Sequence, residues 1–470
     1  MASMGGGPDS AASRRELLRA LNRATGRRIV VFDDDPTGSQ SVHGAAIITV
    51  PERAELVAGL AEAGATCFVL TNTRSLDGAT ARVLNDALAR EVFALEGELG
   101  APIEIVSRSD STLRGHVHLE LETIDTARRE ELGEGFDAFI FAPAFIEAGR
   151  TTAGDVHYAR LGGADVPVGE TEFARDATFG YRSSNLRDFL VEVSSGALSG
   201  ARVTSLSLED LRAGGPERVA EVLGNVARGT YVVANATDFA DLEVLALGAL
   251  SPHTGRRFLF RSGPSLVRAL SGNEPRPPLR ARDLYPDGPP ARHGLVVVGS
   301  HVGLTNAQLE VATAARDLHR VELDAAAIAR SCPTEALVSA AADAAVAALD
   351  DHDVLLVTSR TLQRGADASS SLEIARAVSG AVVEVVRRVR AARPGFVLTK
   401  GGITSHDVAV HALEIRRATV LGQLLTGMVS VFRPVEAAPE AIGMPFVVFA
   451  GNVGDTTTLE RVIGTLRGEQ

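Results

Sequence analysis

Two stretches in the first half of this 470-residue chain combine residue types that structural needs alone seldom call for. The first is Phe32-Asp33-Asp34-Asp35-Pro36-Thr37-Gly38. Consecutive carboxylates repel one another unless cations or hydrogen-bond donors hold them, so this placement costs stability. Phosphoryl transfer to an alcohol needs a carboxylate that orients and deprotonates the attacking hydroxyl, and Asp34 and Asp35 are both candidates. The competing reading is an Asp-rich turn, with Asp35 capping a helix and Pro36 at its first position. The second stretch is Ser107-Arg108-Ser109-Asp110-Ser111-Thr112-Leu113-Arg114-Gly115. Together with Arg74 of Thr71-Asn72-Thr73-Arg74-Ser75, Arg108 and Arg114 can grip a carboxylate in a two-pronged fork. Asp110, Ser111 and Thr112 can hydrogen-bond sugar hydroxyls. Each arginine taken singly reads as a surface ion pair. Three polar clusters that each follow a strand favour one shared cleft.

The second half offers a different chemistry. Phe396-Val397-Leu398-Thr399-Lys400-Gly401-Gly402-Ile403-Thr404-Ser405 is an apolar strand entering a glycine pair, with a helix expected from about Asp407. Gly451-Asn452-Val453-Gly454 after Phe446–Ala450, and Gly299-Ser300-His301-Val302-Gly303 before a helix near Asn306, repeat the pattern. Glycines let backbone approach phosphate oxygens, and helix-opening N–H groups favour anions. The Gly, Lys and Ser/Thr spacing is not that of a Walker A loop. One such turn is only a tight strand-to-helix connection; three make a nucleotide-phosphate site. His116 and His118 could share a side of an extended segment, but no ligand spacing for zinc accompanies them, so no protein metal site is expected. His116 is at most an aid to positioning substrate.

The elements that must hold these residues read as α/β. Expected strands are Ile29–Phe32, Cys67–Thr71, Ile103–Val106, Ala138–Phe141, Tyr231–Ala234 and Arg257–Phe260, then Leu295–Val298, Val354–Thr358, Phe396–Leu398 and Phe446–Phe449. Ala- and Leu-rich helical stretches alternate with them. In the helix near Ser371–Arg390, Ile374, Val378, Val382 and Val385 or Val386 share a face. Ligands gather at the carboxyl ends of strands in such sheets. From Pro275 to Gly294 prolines recur, which reads as a semi-rigid linker. The expected organisation is an N-terminal extension over 1–28, a substrate domain over 29–274, the linker over 275–294 and a nucleotide-binding domain over 295–470. The fold class is two α/β domains with largely parallel sheets and a ligand cleft between them.

Composition narrows the partners. A formal net charge of −12 argues against a nucleic-acid footprint, which needs a basic stripe. Cys67 and Cys332 are the only cysteines, neither a disulfide framework nor a metal cluster, which points to a reducing compartment. No apolar run suits a signal peptide or a membrane span. The expectation is a soluble, cytoplasmic protein without membrane partners, with self-association left open.

At these residues the sequence resembles the four-carbon acid sugar kinase family over nearly its whole length after the N-terminal extension. Asp34, Asp35, Thr37 and Gly38 meet its early Asp-Asp-any-Thr-Gly, and Asp110–Gly115 meet its Asp-Ser-Thr-Leu-Arg-Gly. Ala142-Pro143-Ala144-Phe145 and Gly149-Arg150-Thr151 match two further segments. The resemblance implies an N-terminal sugar-acid domain and a C-terminal ATP domain that phosphorylate threonate, erythronate or 3-oxo-tetronate with ATP and Mg²⁺. It carries ATP contacts onto Ser300, Gly401, Gly402, Thr404, Ser405, Gly451, Asn452 and Gly454. Departures are Arg108 for Lys, Ile403 for the Glu of Gly-Gly-Glu-Thr-Ser, Phe449-Ala450 for Lys-Ser, and His301-Val302 for Cys-Ser. Lys400 is the residue expected to supply the charge missing at Phe449.

The reading is therefore an ATP-dependent sugar-acid kinase, a phosphotransferase with an alcohol group as acceptor. Arg74, Arg108, Asp110, Ser111, Thr112 and Arg114 would bind the substrate, and Asp34 or Asp35 would activate its hydroxyl. The alternatives are an isomerase or aldolase using the same polyhydroxy-acid pocket, or a non-catalytic sensor.

Overall fold

Short runs of Val, Ile, Leu and Phe without polar alternation become strands buried on both faces, in each of two units that divide after Pro275. The computed structural model describes residues 8–330, 334–360, 363 and 368–469; Cys332 lies outside the described residues.

In the first unit the strands are β1 (Arg28–Asp33), β2 (Ala46–Ile48), β3 (Thr66–Leu70), β4 (Ile103–Arg108), β5 (Ala138–Ala142), β6 (Arg150–Ala153), β7 (Val156–Leu161), β8 (Ala164–Pro167), β9 (Val203–Leu206), β10 (Thr230–Ala234) and β11 (Phe258–Ser262). The sheet runs β2-β3-β1-β4-β11-β5-β10-β9, and every adjacent pair is parallel. Chain order reverses about β1, so the loop leaving it sits at a topological switch point, where such sheets bind ligands. Leu88, Val92 and Phe93 of the Gly78–Leu99 helix join Leu121 and Ile124 of the Val117–Leu132 helix in the core over the sheet. Strands β6, β7 and β8 form a separate antiparallel sheet. It is tied to the main body where Thr152 and Ala236 exchange backbone hydrogen bonds of 2.8 and 3.0 Å.

The segment ahead of β1 is structured. Pro8–Ala24 is a helix with Leu18 buried. Arg14 and Arg15 both pair with Glu243, and Arg15 and Arg19 with Glu274.

The second unit contains β12 (Leu295–Val298), β13 (Leu318–Leu323), β14 (Asp353–Thr358), β15 (Val397–Lys400), β16 (Arg417–Leu425), β17 (Met428–Glu436) and β18 (Phe446–Phe449), in the order β13-β14-β12-β15-β18-β17-β16. From β13 to β18 neighbours are parallel; β17 pairs antiparallel with both β18 and β16. The switch point here is β12. In β16 burial alternates residue by residue, as expected for a strand with one wet face. The proline-rich stretch holds a short helix, Ala281–Leu284, and packs on this unit. Leu279 and Leu284 enter its core, and Leu279 N donates to Gln423 O at 2.7 Å. Among the described residues no helix is long and apolar enough to cross a membrane.

Candidate functional site

At the end of β1 the three aspartates meet three different fates. Asp33 is fully buried, with Oδ1 2.8 Å from Arg108 Nη1. Its Oδ2 has no hydrogen-bond partner. Burial, against the pull of Arg108, raises its carboxyl to about 7. A Cβ on Gly38 would lie 2.1 Å from that Oδ2, so glycine lets the chain fold tightly over the acid. Asp34 is also buried; Arg74 takes both its oxygens, and Ser109 Oγ donates to Oδ2 at 2.6 Å. Asp35 keeps a quarter of its side chain exposed. Its Oδ1 accepts from Thr37 N at 2.8 Å and from Thr37 Oγ1, which closes a turn. Asp35 therefore caps no α-helix: a 3₁₀ turn, Gly38–Ser41, follows, with Thr37 at its N-cap. Burial pushes Asp35 up, but Arg74, Arg108 and the Thr37 bonds outweigh it and hold the carboxyl below its usual range.

The loop after β4 closes on the same point. Asp110 Oδ2 accepts from Arg114 Nε at 2.6 Å and from Thr112 Oγ1. Arg74 and Arg114 outweigh burial there and keep Asp110 well below the usual carboxylate range. Gly115 takes φ +125, and a Cβ on it would lie 2.7 Å from Ser109 Oγ and 3.0 Å from Asp34 Oδ2, so only glycine fits. The structure thus brings Asp34, Asp35, Arg74, Arg108, Asp110 and Arg114 together. It gives Ser111 and Thr112 another setting: both are buried, and the Thr112 hydroxyl is engaged by Asp110 within its own loop. His116 opens the Val117–Leu132 helix and donates from Nε2 to Leu76 O, whereas His118 faces Tyr231; the two do not share an extended segment.

Residues outside the sequence reading hold this loop from beneath. His157 Nε2 donates to Ser111 O at 2.8 Å, while Nδ1 faces Thr152 Oγ1; burial lowers this histidine to about 4, so it is neutral. Tyr181 Oη donates to Thr112 O at 2.7 Å. Arg261, at the end of β11, is 1% exposed, pairs with buried Glu120 and donates to Ser107 Oγ at 2.6 Å. Its position was readable, being the first polar residue after Phe258-Leu259-Phe260. Contact from β6 and β7 was not, because nothing in the sequence ties that sheet to residue 111.

In the second unit all three glycine turns meet. A Cβ on Gly299 would lie 2.1 Å from Thr404 Oγ1, one on Gly401 3.4 Å from Ser300 Cβ, and one on Gly451 2.4 Å from Ser300 Oγ. Thr305 Oγ1 donates to Gly451 O, and Gln308 Nε2 to Val453 O and Asp455 O, fixing the last turn to the Gly303–Ala315 helix. Asn452 is exposed and Gly454 has φ +84. The helix after Gly401 starts at Gly402 rather than near Asp407, so its free N–H groups lie at the glycine pair itself. Ser405 is buried and bonds Gly401 O and Thr399, shaping the turn. Beside these turns lies a cavity of about 200 Å³ lined by Gly299, Ile374, Val378, Val382 and Thr404 among others. The apolar stripe expected on the Ala368–Arg390 helix thus partly faces an opening rather than a core.

Lys400 does not reach that opening. It is fully buried, with Nζ 3.0 Å from Ala450 O and 3.5 Å from the Phe449 ring centroid, and burial lowers it to about 7. The cation expected here is instead a buried amine braced between Ala450 O and the Phe449 ring. A different cation stands at the first turn: Arg360 Nη2 donates to Ser300 O at 2.6 Å and Nε to Asn306 Oδ1 at 2.9 Å, and Nη1 has no partner among the described residues. Among the described residues no group of three or more His, Cys, Asp or Glu is arranged to hold a metal ion.

With a ligand-type cluster at the switch point of the parallel strands in each unit, the molecule is a two-domain sugar- and nucleotide-binding protein. Residues 29–270 match a sugar-binding N-terminal domain and residues 295–459 a nucleotide-binding C-terminal domain. The chain belongs to the four-carbon acid sugar kinase family. Its fold is similar to that of Haemophilus influenzae protein HI1011, with 20% identity, TM-score 0.60, and coverage of 93% of this chain and 100% of that one. A crystal structure from Salmonella typhimurium LT2 is similar at 17% identity and TM-score 0.67, covering 93% of this chain and 98% of the other. No curated protein matches the chain.

Proposed function

We propose that the protein is an ATP-dependent kinase that phosphorylates a hydroxyl of a small, four-carbon sugar acid. The observation that carries this reading is the match between each domain's ligand class and the cluster at its switch point. In the sugar-binding domain that cluster is a partly exposed carboxylate braced by arginines; in the nucleotide-binding domain it is a glycine cradle beside an apolar cavity. Asp35 orients and deprotonates the attacking hydroxyl, because Asp33 and Asp34 are buried and already engaged. A base held at low pKa serves this reaction, since loose phosphoryl-transfer transition states depend mainly on positioning and charge. Arg74, Arg108 and Arg114 keep the carboxylates in place, and Asp110 with the loop to Gly115 shapes the sugar pocket.

Backbone N–H groups at Ser300, Gly402, Thr404, Gly451, Asn452 and Gly454 hold the ATP phosphates, with Arg360 rather than Lys400 adding positive charge; Gly401 and Ser405, whose N–H groups bond Phe449 O and Gly401 O, shape the turn. The apolar cavity takes the base. Mg²⁺ arrives with ATP and neutralises charge shared between its phosphates; such ions need only one or two protein carboxylates, so a protein cage is not required. Transfer requires the two bound substrates to meet during turnover and water to be excluded.

The test is ADP release from Mg-ATP with a panel of four-carbon sugar acids. ADP formed only when an acid is present is the expected result. Acid turnover in nucleotide-free buffer indicates an isomerase or aldolase and overturns the proposal. Thermal stabilisation by acid and nucleotide without ADP indicates a sensor and does the same.

A further inference from the structure

The cations already credited with gripping an acid are occupied. Arg74 lies 2.7 Å from Asp34 and 3.7 Å from Asp35, Arg108 2.8 Å from Asp33, and Arg114 2.6 Å from Asp110 and 3.6 Å from Asp176. An entering carboxylate would find no spare positive charge among them. One guanidinium nearby differs. Arg150, at the start of β6, has no carboxylate within 4.0 Å among the described residues. Its Nη1 donates to Ala148 O at 3.0 Å, while its Nε is buried with no partner. Its guanidinium carbon lies 5.6 Å from the Phe173 ring centroid, and that of Arg114 lies 5.4 Å from the same ring. Arg150 therefore stands beside the Asp110–Arg114 loop.

A part-buried guanidinium without a counter-ion is costly unless a ligand supplies one. Its backbone is held firmly for that purpose. Phe145 and Arg150 exchange backbone hydrogen bonds of 3.0 and 2.9 Å, and the preceding Gly149 has φ +66 with no room for a Cβ against Arg160. Burial lowers the Arg150 guanidinium below its ordinary value, and attraction to Asp110 offsets only part of that.

We propose that Arg150 binds the substrate's carboxylate and is the residue by which the first unit selects a sugar acid over the neutral polyol. This rests on the reading that the substrate is a sugar acid. The fork at Arg150 takes both carboxylate oxygens, Phe173 stacks behind it, and the hydroxyls extend toward Asp110 and Asp35.

The test is equilibrium binding of erythronate and threonate, and of the matched polyols erythritol and threitol, to wild type, Arg150→Ala and Arg150→Lys. Arg150→Ala is expected to weaken acid binding about 10- to 100-fold, the range of a lost charge-assisted pair. Polyol binding and ATP binding should stay within about 2-fold, erasing the acid preference; the lysine variant should fall between, because a point charge lacks the fork. Guanidinium ion added to Arg150→Ala should restore part of the acid affinity. Equal losses for acid and polyol, or an unchanged acid preference, overturn the proposal. So does a wild type that binds none of the acids. Acid binding that depends on Arg150 without any ADP formation supports the proposal while refuting the kinase reading.

Discussion

Arg74 holds Asp34 through two nitrogens, Nη2 2.7 Å from Oδ1 and Nε 3.3 Å from Oδ2. With Ser109 on the same carboxylate, Asp34 is committed to its neighbours before any ligand arrives. Adjacent aspartates in the sequence thus meet different settings, Asp34 fully engaged and Asp35 a quarter exposed, and on the proposed reading they divide structural and chemical work.

That division can be measured. Asp35→Asn should lower kcat about 100- to 10,000-fold, the usual contribution of a general base, and cost about 1 kcal/mol of stability, since the amide oxygen keeps the Thr37 bonds while the charge beside Arg74 is lost. Asp34→Ala should instead destabilise the first unit by about 3–5 kcal/mol, since it strands Arg74 in a poorly solvated place. Urea denaturation beside steady-state kinetics separates the two. Equal loss of kcat without destabilisation in Asp34→Ala would reverse the assignment.

Beneath the site, Glu120 joins Arg261, Ser107 and Thr73 in one buried network. Glu120→Ala should cost about 3–5 kcal/mol by leaving Arg261 uncompensated, while Glu120→Met combined with Arg261→Met should recover most of it. A double-mutant cycle by denaturant titration reports the coupling.

In the nucleotide-binding domain, Gly451→Ala would drive a methyl group to 2.4 Å from Ser300 Oγ. ATP affinity should drop at least about 10-fold with sugar-acid affinity unchanged, measured by calorimetry. Arg360→Ala should raise the KM for ATP, whereas Lys400→Met should raise it less.

Lys400 makes a pH prediction. Burial lowers it from 10.5 to about 7, so between those values the unfolded chain carries the extra proton. Stability therefore rises with pH across this window, by up to about 1.4 kcal/mol per unit, and is lost as pH falls toward 7. Denaturation midpoints from pH 7 to 10 should show this slope, and Lys400→Met should flatten it.

What could be read in advance follows from how each element advertises itself. Every strand expected from an apolar run exists, β1, β4 and β12 among them, because burial on both faces writes a continuous signal. Strand β16 alternates, β17 is interrupted by Ser430, Arg433 and Pro434, and β6 to β8 are short and partly polar, so no run announced them. Residues of the polar cluster were legible where a charge followed such a run, as with Arg74 and Arg108. Which cations would be consumed by neighbouring acids depends on distances across the sheet, and so the free guanidinium at Arg150 stayed hidden. Lys400 misled for the same reason: its charge is visible in sequence, its burial under Phe449 is not.

The small antiparallel sheet leaves and rejoins the chain between β5 and β9, and its His157 supports the loop at Ser111 from outside the parallel array. With Arg150 as the proposed acid-binding residue and Asp35 as the proposed base, the two tasks fall in separate stretches of the chain, one in β6 and one after β1. On that reading, substitutions within residues 150–167 change which acid is held without touching Asp33, Asp34 or Asp35.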